Sequence, residues 1–304
     1  MSREEFLKSY ENQSTINNYY KSFKKLDGFL DSIELNEFQF LDRLNKSGKH
    51  EKYNLLQEFV NYLKNDVSPR TVRQYFDNLF KYFLIQGVEL DYTQKKLFVK
   101  FPRIIEKRFE GLDREKIITL LGHCSSNFSL YLRLLVGSGV RESEGLQITP
   151  RMIDFLEYPV KIKLPGEITK LSIPRETMIP PGLAKDLKEH IEEKKIKLDD
   201  VIFSRKYNQN TLLNFEKDFA EIRKKAGLET INKEPGQQND ITLHSFRAFF
   251  ITSFINNELG EFGHALAGHS GSFSVYYRMS DEKKKEKYGL VMNDLEFILV
   301  KPAL

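Results

Sequence analysis

Residues 243–277 read LHSFRAFFITSFINNELGEFGHALAGHSGSFSVYY, and this stretch constrains the chain more than any other. Ala248, Phe249, Phe250, Ile251, Phe254 and Ile255 supply apolar positions at helical spacing, so a helix here has a face that must be buried. His244 and Arg247 are three apart, which on a helix is one face, so imidazole and guanidinium project together. Gly260 is expected to end this helix. Ala265 to Ala267 then reads as a short second helix that delivers His269 after Gly268. Taken singly, each residue has a plainer reading. An HxxR pair is commonly a surface ion pair, a histidine can sit at a helix end for no catalytic reason, and a chain with 14 Tyr uses most of them for packing. The order and spacing favour function. Two imidazoles, a guanidinium and the Tyr276–Tyr277 phenols are what a phosphate-attacking tyrosine needs.

At 304 residues the chain exceeds one compact core of typical size, so two domains are expected. A hydrophobic share of 40% with 24 Phe is ample for folded cores. The net charge of +4 is a mild basic excess, which permits a nucleic-acid partner without demonstrating one. A single cysteine, Cys124, excludes an intramolecular disulfide and a Cys-rich zinc site, and fits a reducing, cytoplasmic setting. No apolar run approaches a membrane span, and the opening MSREEFLKSYENQS has no apolar signal core.

Residues 1 to about 100 read as short helices. Thr15 is expected to cap one that carries Ile16, Tyr19, Tyr20, Phe23 and Leu26. Phe38–Leu44 and Tyr53–Leu63 follow. Ser68 and Pro69 start another, as cap and first-turn residue, with an apolar face through Val72, Tyr75, Leu79, Tyr82 and Phe83. Arg70, Thr71, Arg73, Gln74 and Lys81 on the same helix read either as a solvated face or as one that grips DNA phosphates. Residues 98–112 read as a basic linker broken by Pro102 and Gly111. Asp113 is expected to cap a helix through Ile117, Ile118, Leu120 and Leu121, and Leu130–Val136 forms the next. Gly137-Ser138-Gly139 is a sharp break, after which Arg141 projects from a new helix start, where an anion is favoured. Val160–Leu164 alternates as a strand, turns at Pro165-Gly166, and pairs with a strand at Leu171-Ser172-Ile173 beyond Lys170. Helices are expected again over Leu183–Lys194 and Leu212–Ala226, the latter closed by Gly227. The segment Asp281–Leu299 begins lysine-rich and becomes apolar at Leu290, Val291, Leu295, Ile298 and Leu299.

Several of these fragments match a known order. The chain resembles the tyrosine recombinases, the family of phage integrases and Xer-like enzymes. SGVRESEGL is similar to the family's T-G-L-R-x-S-E-L stretch and carries Arg141. ITLHSFRAFF resembles the H-x-x-R box, ALAGHS the L-L-G-H-S box, and SVYYR stands where T-x-x-Y holds the nucleophile. The hairpin VKIKLPGEITKLSIP lies where the family has a catalytic lysine, RKKAG looks like the family's helix end, and SPRTVRQYFDNLFKYF is similar to its helical core-binding domain. Arg247 to His269 and His269 to Tyr277 are each one residue shorter than the common bacterial pattern. That shortening, with the Lys/Phe/Ile-rich composition and the doubled tyrosine, is more like the divergent integrases of archaea and their viruses.

The resemblance implies a mainly α fold with a small antiparallel sheet in two domains: a helical core-binding domain over 1–105 and a breaking–rejoining catalytic domain over 106–304. It implies a site of Arg141, Lys170, His244, Arg247, His269 and Tyr277, working without metal or cofactor. Lys163 stays open as the alternative to Lys170, and Tyr276 as the alternative to Tyr277. Arg141 and Arg247 would bind the non-bridging oxygens of a phosphodiester, and His244 would add a hydrogen bond. His269 would hold the phosphate or take the phenol proton, and the lysine would protonate the leaving 5′ oxygen. The implied partner is double-stranded DNA at recombination sites, with a homotetramer on two duplexes and a monomer when free. The implied activity is site-specific recombination. The alternatives are a type IB topoisomerase-like relaxation enzyme and a DNA-binding relative without cleavage. The C-terminal apolar segment is expected to dock on a neighbouring subunit, with Asp281–Lys287 as its tether.

Overall fold

A computed structural model describes residues 1–105, 111–230, 239–269 and 278–297. The chain divides into two compact units, Met1–Arg108 and Phe109–Leu304, each with its own hydrophobic core. It is mainly helical with one small sheet.

Among its described residues the first unit has six helices: α1 (Arg3–Lys8), α2 (Gln13–Ser32), α3 (Glu37–Lys46), α4 (Lys49–Lys64), α5 (Pro69–Ile85) and α6 (Tyr92–Phe98). Their starts follow from side chains that satisfy the orphan amides of a first turn. Ser2 with Glu5, and Asn36 with Gln39, form reciprocal capping boxes. Ser68 accepts from the Thr71 amide ahead of Pro69, as expected. Thr15 is not a cap. The Asn12 carboxamide takes the amides of both Ser14 and Thr15, so the helix begins at Gln13 and Thr15 is already inside it. On α5, Phe76 and Phe80 join Val72, Leu79, Tyr82 and Phe83 in the core, whereas Tyr75 is only half-buried. Arg70, Arg73, Gln74 and Lys81 are exposed.

The second unit contains α7 (Arg114–Gly122), α8 (Ser126–Ser138), α9 (Glu142–Gly145), β1 (Ile153–Asp154), β2 (Val160–Leu164), β3 (Arg175–Ile179), α10 (Pro181–Lys194), α11 (Gln209–Lys225), α12 (Leu243–Asn256), α13 (Gly260–Ala267) and α14 (Asp281–Leu295). Asp113 caps α7 through the Lys116 amide, as expected, with Ile117, Leu120 and Leu121 buried and Ile118 exposed. From Phe128 to Ser138 every residue of α8 is buried, so it is the central helix of this unit, as an all-round apolar pattern requires. Helices α10, α12 and α14 pack on it. Gly139 ends α8 with φ +63, and a Cβ there would overlap the Phe250 ring of α12. The Phe250 ring of α12 thus packs directly on the turn that leads into Arg141.

Three further expectations about elements are corrected. The sheet has order β1-β2-β3, all antiparallel, with Val160 opposite Ile179 and Ile162 opposite Thr177. The partner of β2 is thus Arg175–Ile179, not 171–173, which is exposed. The intervening loop folds on itself instead: the Thr169 hydroxyl donates to the carbonyls of Gly166 and Ile173, and Ser172 adopts φ +53. Gly260 opens α13 and does not close α12, which ends at Asn256 and turns through Glu258 at φ +60. Finally, Asp281–Lys287 is the first half of a helix docked on its own unit, not a tether. Asp281 binds Lys161, Lys285 pairs with Glu157, the buried Tyr288 hydroxyl donates to the Gly137 carbonyl at 2.6 Å, and Val291, Leu295 and Phe297 enter the core. Leu290 is exposed, and Ile298 and Leu299 lie outside the described residues.

Candidate active site

The turn after Gly139 sets the first component. Arg141 stands immediately ahead of α9, and its amide and guanidinium both donate to the Glu144 carboxylate, at 2.8 Å each. Three residues apart across a first turn, the two groups must meet. Glu144 is almost fully buried and also accepts from Arg175 of β3, at 3.1 and 2.7 Å, a fork-to-fork pairing. Burial alone would raise the Glu144 pKa, but the Arg175 hydrogen bonds and charge, then those of Arg141, hold it below the ordinary carboxylate value. Arg175 Nε reaches the Leu266 carbonyl at 3.3 Å, and Arg141 Nη2 the Gly268 carbonyl at 3.4 Å. One carboxylate thereby ties α9, β3 and the end of α13 together.

Arg247, one turn into α12, supplies the second component. It is 1% exposed, and one nitrogen donates to the Gly139 carbonyl at 2.7 Å. Among the described residues, its Nε and Nη2 are buried without a hydrogen-bond partner. Burial first, then the charges of Arg141 and Arg175, push its pKa down to about 9. Unpaired buried donors are uncommon and call for an explanation. A bound anion accepting from both is a sufficient one, since a guanidinium presents a planar fork to phosphate.

His244 lies at the mouth, 62% exposed, with Nδ1 3.5 Å from the Glu142 carboxylate. Burial would raise the Glu142 pKa, yet the neighbouring His244 first, then the Glu142 amide and the charge of Arg247, bring it below the usual range. His269 follows Gly268 at the end of α13, and its Nδ1 lies 2.7 Å from Nδ1 of His264. Desolvation, then Arg247, His264, Arg141 and His244 in that order, push His269 down to about 4, so it is neutral near pH 7.

The structure thus brings Arg141, His244, Arg247 and His269 into one cluster. It does not bring in either candidate lysine: among the described residues neither Lys170 nor Lys163 hydrogen-bonds to that cluster. Lys170 is exposed in the loop before β3, and Lys163 sits 3.8 Å from Asp154 on β2. Tyr276 and Tyr277 lie outside the described residues. Arg223 of the RKKAG fragment is structural, buried with Nη1 on the Ile241 carbonyl at 3.0 Å. Sequence reasoning missed Arg175 and His264. The available signals were an arginine opening the apolar alternation RETMI, and a histidine five residues before His269 across a helix end.

The sequence model of the phage integrase family matches residues 110–282, more than half of the chain, and the protein belongs to that family. The resemblance read from its motifs is therefore correct. Two curated relatives, each described as "Integrase/recombinase", come from Escherichia coli and Pseudomonas aeruginosa. Each is 30% identical over 139 residues, which is 45% of this chain and 39% of the relative, so the match spans about two fifths of those proteins. Among solved structures, the chain is similar to the XerH site-specific recombinase bound to difH substrate, with TM-score 0.58 and 21% identity over 90% of this chain and 78% of the other. It is also similar to a lambda integrase dimer (residues 75–356) bound to a COC′ core site, with TM-score 0.63 and 14% identity over 99% and 96%. These likenesses establish the fold: a mainly helical tyrosine recombinase architecture with a small antiparallel sheet.

Proposed function

We propose that this protein is a site-specific DNA recombinase, an integrase that cleaves and rejoins DNA through a covalent 3′-phosphotyrosine. The observation that carries this reading is Arg247: a buried guanidinium anchored to Gly139, with Nε and Nη2 unpaired among the described residues and Arg141 close enough to depress its pKa. Two such groups can neutralise the charge that grows on the non-bridging oxygens of a phosphodiester under attack. His244 donates a further hydrogen bond from the mouth of the site. Tyr277 is the attacking hydroxyl, with Tyr276 the alternative, and neutral His269 is the group that accepts its proton. Lys170, with Lys163 as the alternative, protonates the leaving 5′ oxygen once DNA draws the loop inward. The phosphotyrosine conserves the bond energy, so religation needs no nucleotide, and no step needs a metal.

The partner is double-stranded DNA at recombination sites, held by a core-binding domain over 1–105 and a catalytic domain over 106–304, in the cytoplasm with the nucleoid. Four strands are exchanged, so the active assembly is a homotetramer on two duplexes that assembles from monomers. A lambda integrase tetramer bound to a Holliday junction, similar to this chain with TM-score 0.61 and 14% identity over 88% of it and 74% of the other, supports that reading. The test is a nicked suicide substrate carrying the cognate site. Wild type should give a slow-migrating covalent adduct, Tyr277→Phe none, and Tyr276→Phe a normal one. An adduct that survives Tyr277→Phe overturns the assignment of the nucleophile. No adduct with wild type overturns the activity, and relaxation of supercoils without joined sites selects the topoisomerase-like alternative.

A further inference from the structure

We propose that His264 is a positioning residue for His269: the two imidazoles act as one proton-handling pair, in which His269 keeps a proton on Nδ1 for His264 and presents Nε2 as an acceptor to the site. This rests on the phosphoryl-transfer reading above.

The backbone forces the pairing. Helix α13 ends with Gly268 at φ +88, its amide donating to the Ala265 carbonyl, while the His269 amide reaches back to the His264 carbonyl at 3.0 Å. That is the bond pattern of a Schellman end, which folds the chain so that residue 269 returns over residue 264. A Cβ on Gly268 would come within 2.7 Å of Arg175 Nε, so the turn is also held from beneath. The two rings lie 4.9 Å apart, tilted by 33°, with the Nδ1 atoms 2.7 Å apart. At that distance two neutral imidazoles share a single proton.

The surroundings decide which ring owns it. Since Nδ1 of His269 is engaged, Nε2 is the only nitrogen it can offer to a reacting group. The charges that bear on this ring come from Arg247, then His264 itself, Arg141 and His244, while Arg175 lies against the adjoining Leu266 and Gly268. Next to guanidiniums a lone pair on Nε2 is favoured and an N–H is not. The bridging proton therefore belongs to Nδ1 of His269, His264 Nδ1 accepts it, and His264 carries its own proton on Nε2.

Proton accounting follows. When a proton arrives at His269 Nε2, the bridging proton crosses to His264 Nδ1, and half-buried His264 releases its Nε2 proton to solvent. The O–H bond of the attacking hydroxyl breaks, an O–H bond forms on the solvent water that takes the His264 proton, N–H bonds are exchanged in between, and both rings end neutral. The route matters because burial and the neighbouring cations push His269 down to about 4, so a charge confined to that ring is disfavoured. The relay moves it away from the guanidiniums.

Long-range ¹⁵N–¹H spectra of the free full-length protein at neutral pH should show His269 protonated on Nδ1 and bare on Nε2. His264→Asn should keep that tautomer, because a carboxamide oxygen accepts from Nδ1–H but passes no proton on. His264→Phe should lose it. In single-turnover cleavage of a suicide substrate, His264→Asn should bind a half-site normally yet form adduct about 10-fold more slowly or worse, part of the roughly 10²–10⁴ that a positioned acid–base group supplies. A proton on His269 Nε2 in the free wild type, or a wild-type cleavage rate in His264→Asn, overturns the pairing. The spectra need no DNA, so failure of wild type to cleave counts against the proposed activity while the tautomer still decides the role of His264.

Discussion

Glu144 shows how much of the site is held by one side chain. Its carboxylate is 1% exposed and balances Arg141 and Arg175 at once. Removing one member of a buried ionic group leaves uncompensated charge, so Glu144→Ala should cost about 3–5 kcal/mol of unfolding free energy in denaturant titrations. Its pKa is lower in the folded chain than in the unfolded one. Its stabilisation is therefore full above the ordinary glutamate value and is lost as pH falls through the folded value. His269 adds to the same trend. Its folded value of about 4 lies below that of a free imidazole, so between the two the unfolded chain binds the extra proton and stability falls with acidification. Thermal melts from pH 7 to pH 4 should decline, and Glu144→Gln should flatten the lower part of that decline. At the catalytic level, Arg247→Ala should leave half-site affinity within a few fold but lower adduct formation by about 10²–10³, the loss typical of one preorganised donor. Affinity falling in parallel with cleavage would mean that Arg247 only holds DNA.

At the scale of elements, α14 and α5 are the informative ones. Helix α14 is pinned by Tyr288 on the Gly137 carbonyl, and the turn beyond it by Arg114, which donates to the carbonyls of Asp294 and Glu296 and stacks over Phe297 at 4.5 Å. The Glu296 carboxylate accepts from the Gly182 amide. Truncation after residue 287 should therefore lower the melting temperature or unfold the protein, and not simply release an arm. Light scattering and circular dichroism on the shortened chain check this. On α5 the exposed Arg70 distinguishes a solvated face from a DNA-facing one. If the face meets phosphate, Arg70→Ala should weaken binding equally at specific and random sequences and reduce the log K against log salt slope by about 0.9. An unchanged slope assigns the residue to solvent.

For the whole molecule, two separate cores, each in one unit, imply two separately foldable bodies. A fragment of residues 111–304 expressed alone should melt cooperatively with native-like helix content, whereas non-cooperative unfolding would show that the first unit is needed for folding. Strand cleavage by the intact chain should persist in EDTA. A strict requirement for a divalent ion would count against tyrosine attack assisted by arginines alone.

Much of this was readable from the chain itself, because the signals are local. Caps at Ser68 and Asp113 and most of the apolar faces of α5 and α7 depend on neighbours three or four residues away, whereas Lys161 of β2 is buried against the expected alternation and Ala248 and Ile255 of α12 are exposed. The order of Arg141, His244, Arg247 and His269 identified the family before any contact was known. Where local signals compete, the reading failed. Asn12 outbid Thr15 for the amides, and a self-bonded loop displaced the second strand to 175–179. Gly260 proved to be a helix start, because Glu258 and not the glycine takes the positive φ. Tertiary structure alone decided that α14 returns to its own core, since any apolar face can be buried in cis or in trans. It alone paired Glu144 with Arg175 across 31 residues, and left Arg247 with two buried donors unpaired among the described residues. Such long-range charge balance depends on which elements meet, and spacing along the chain carries no record of that.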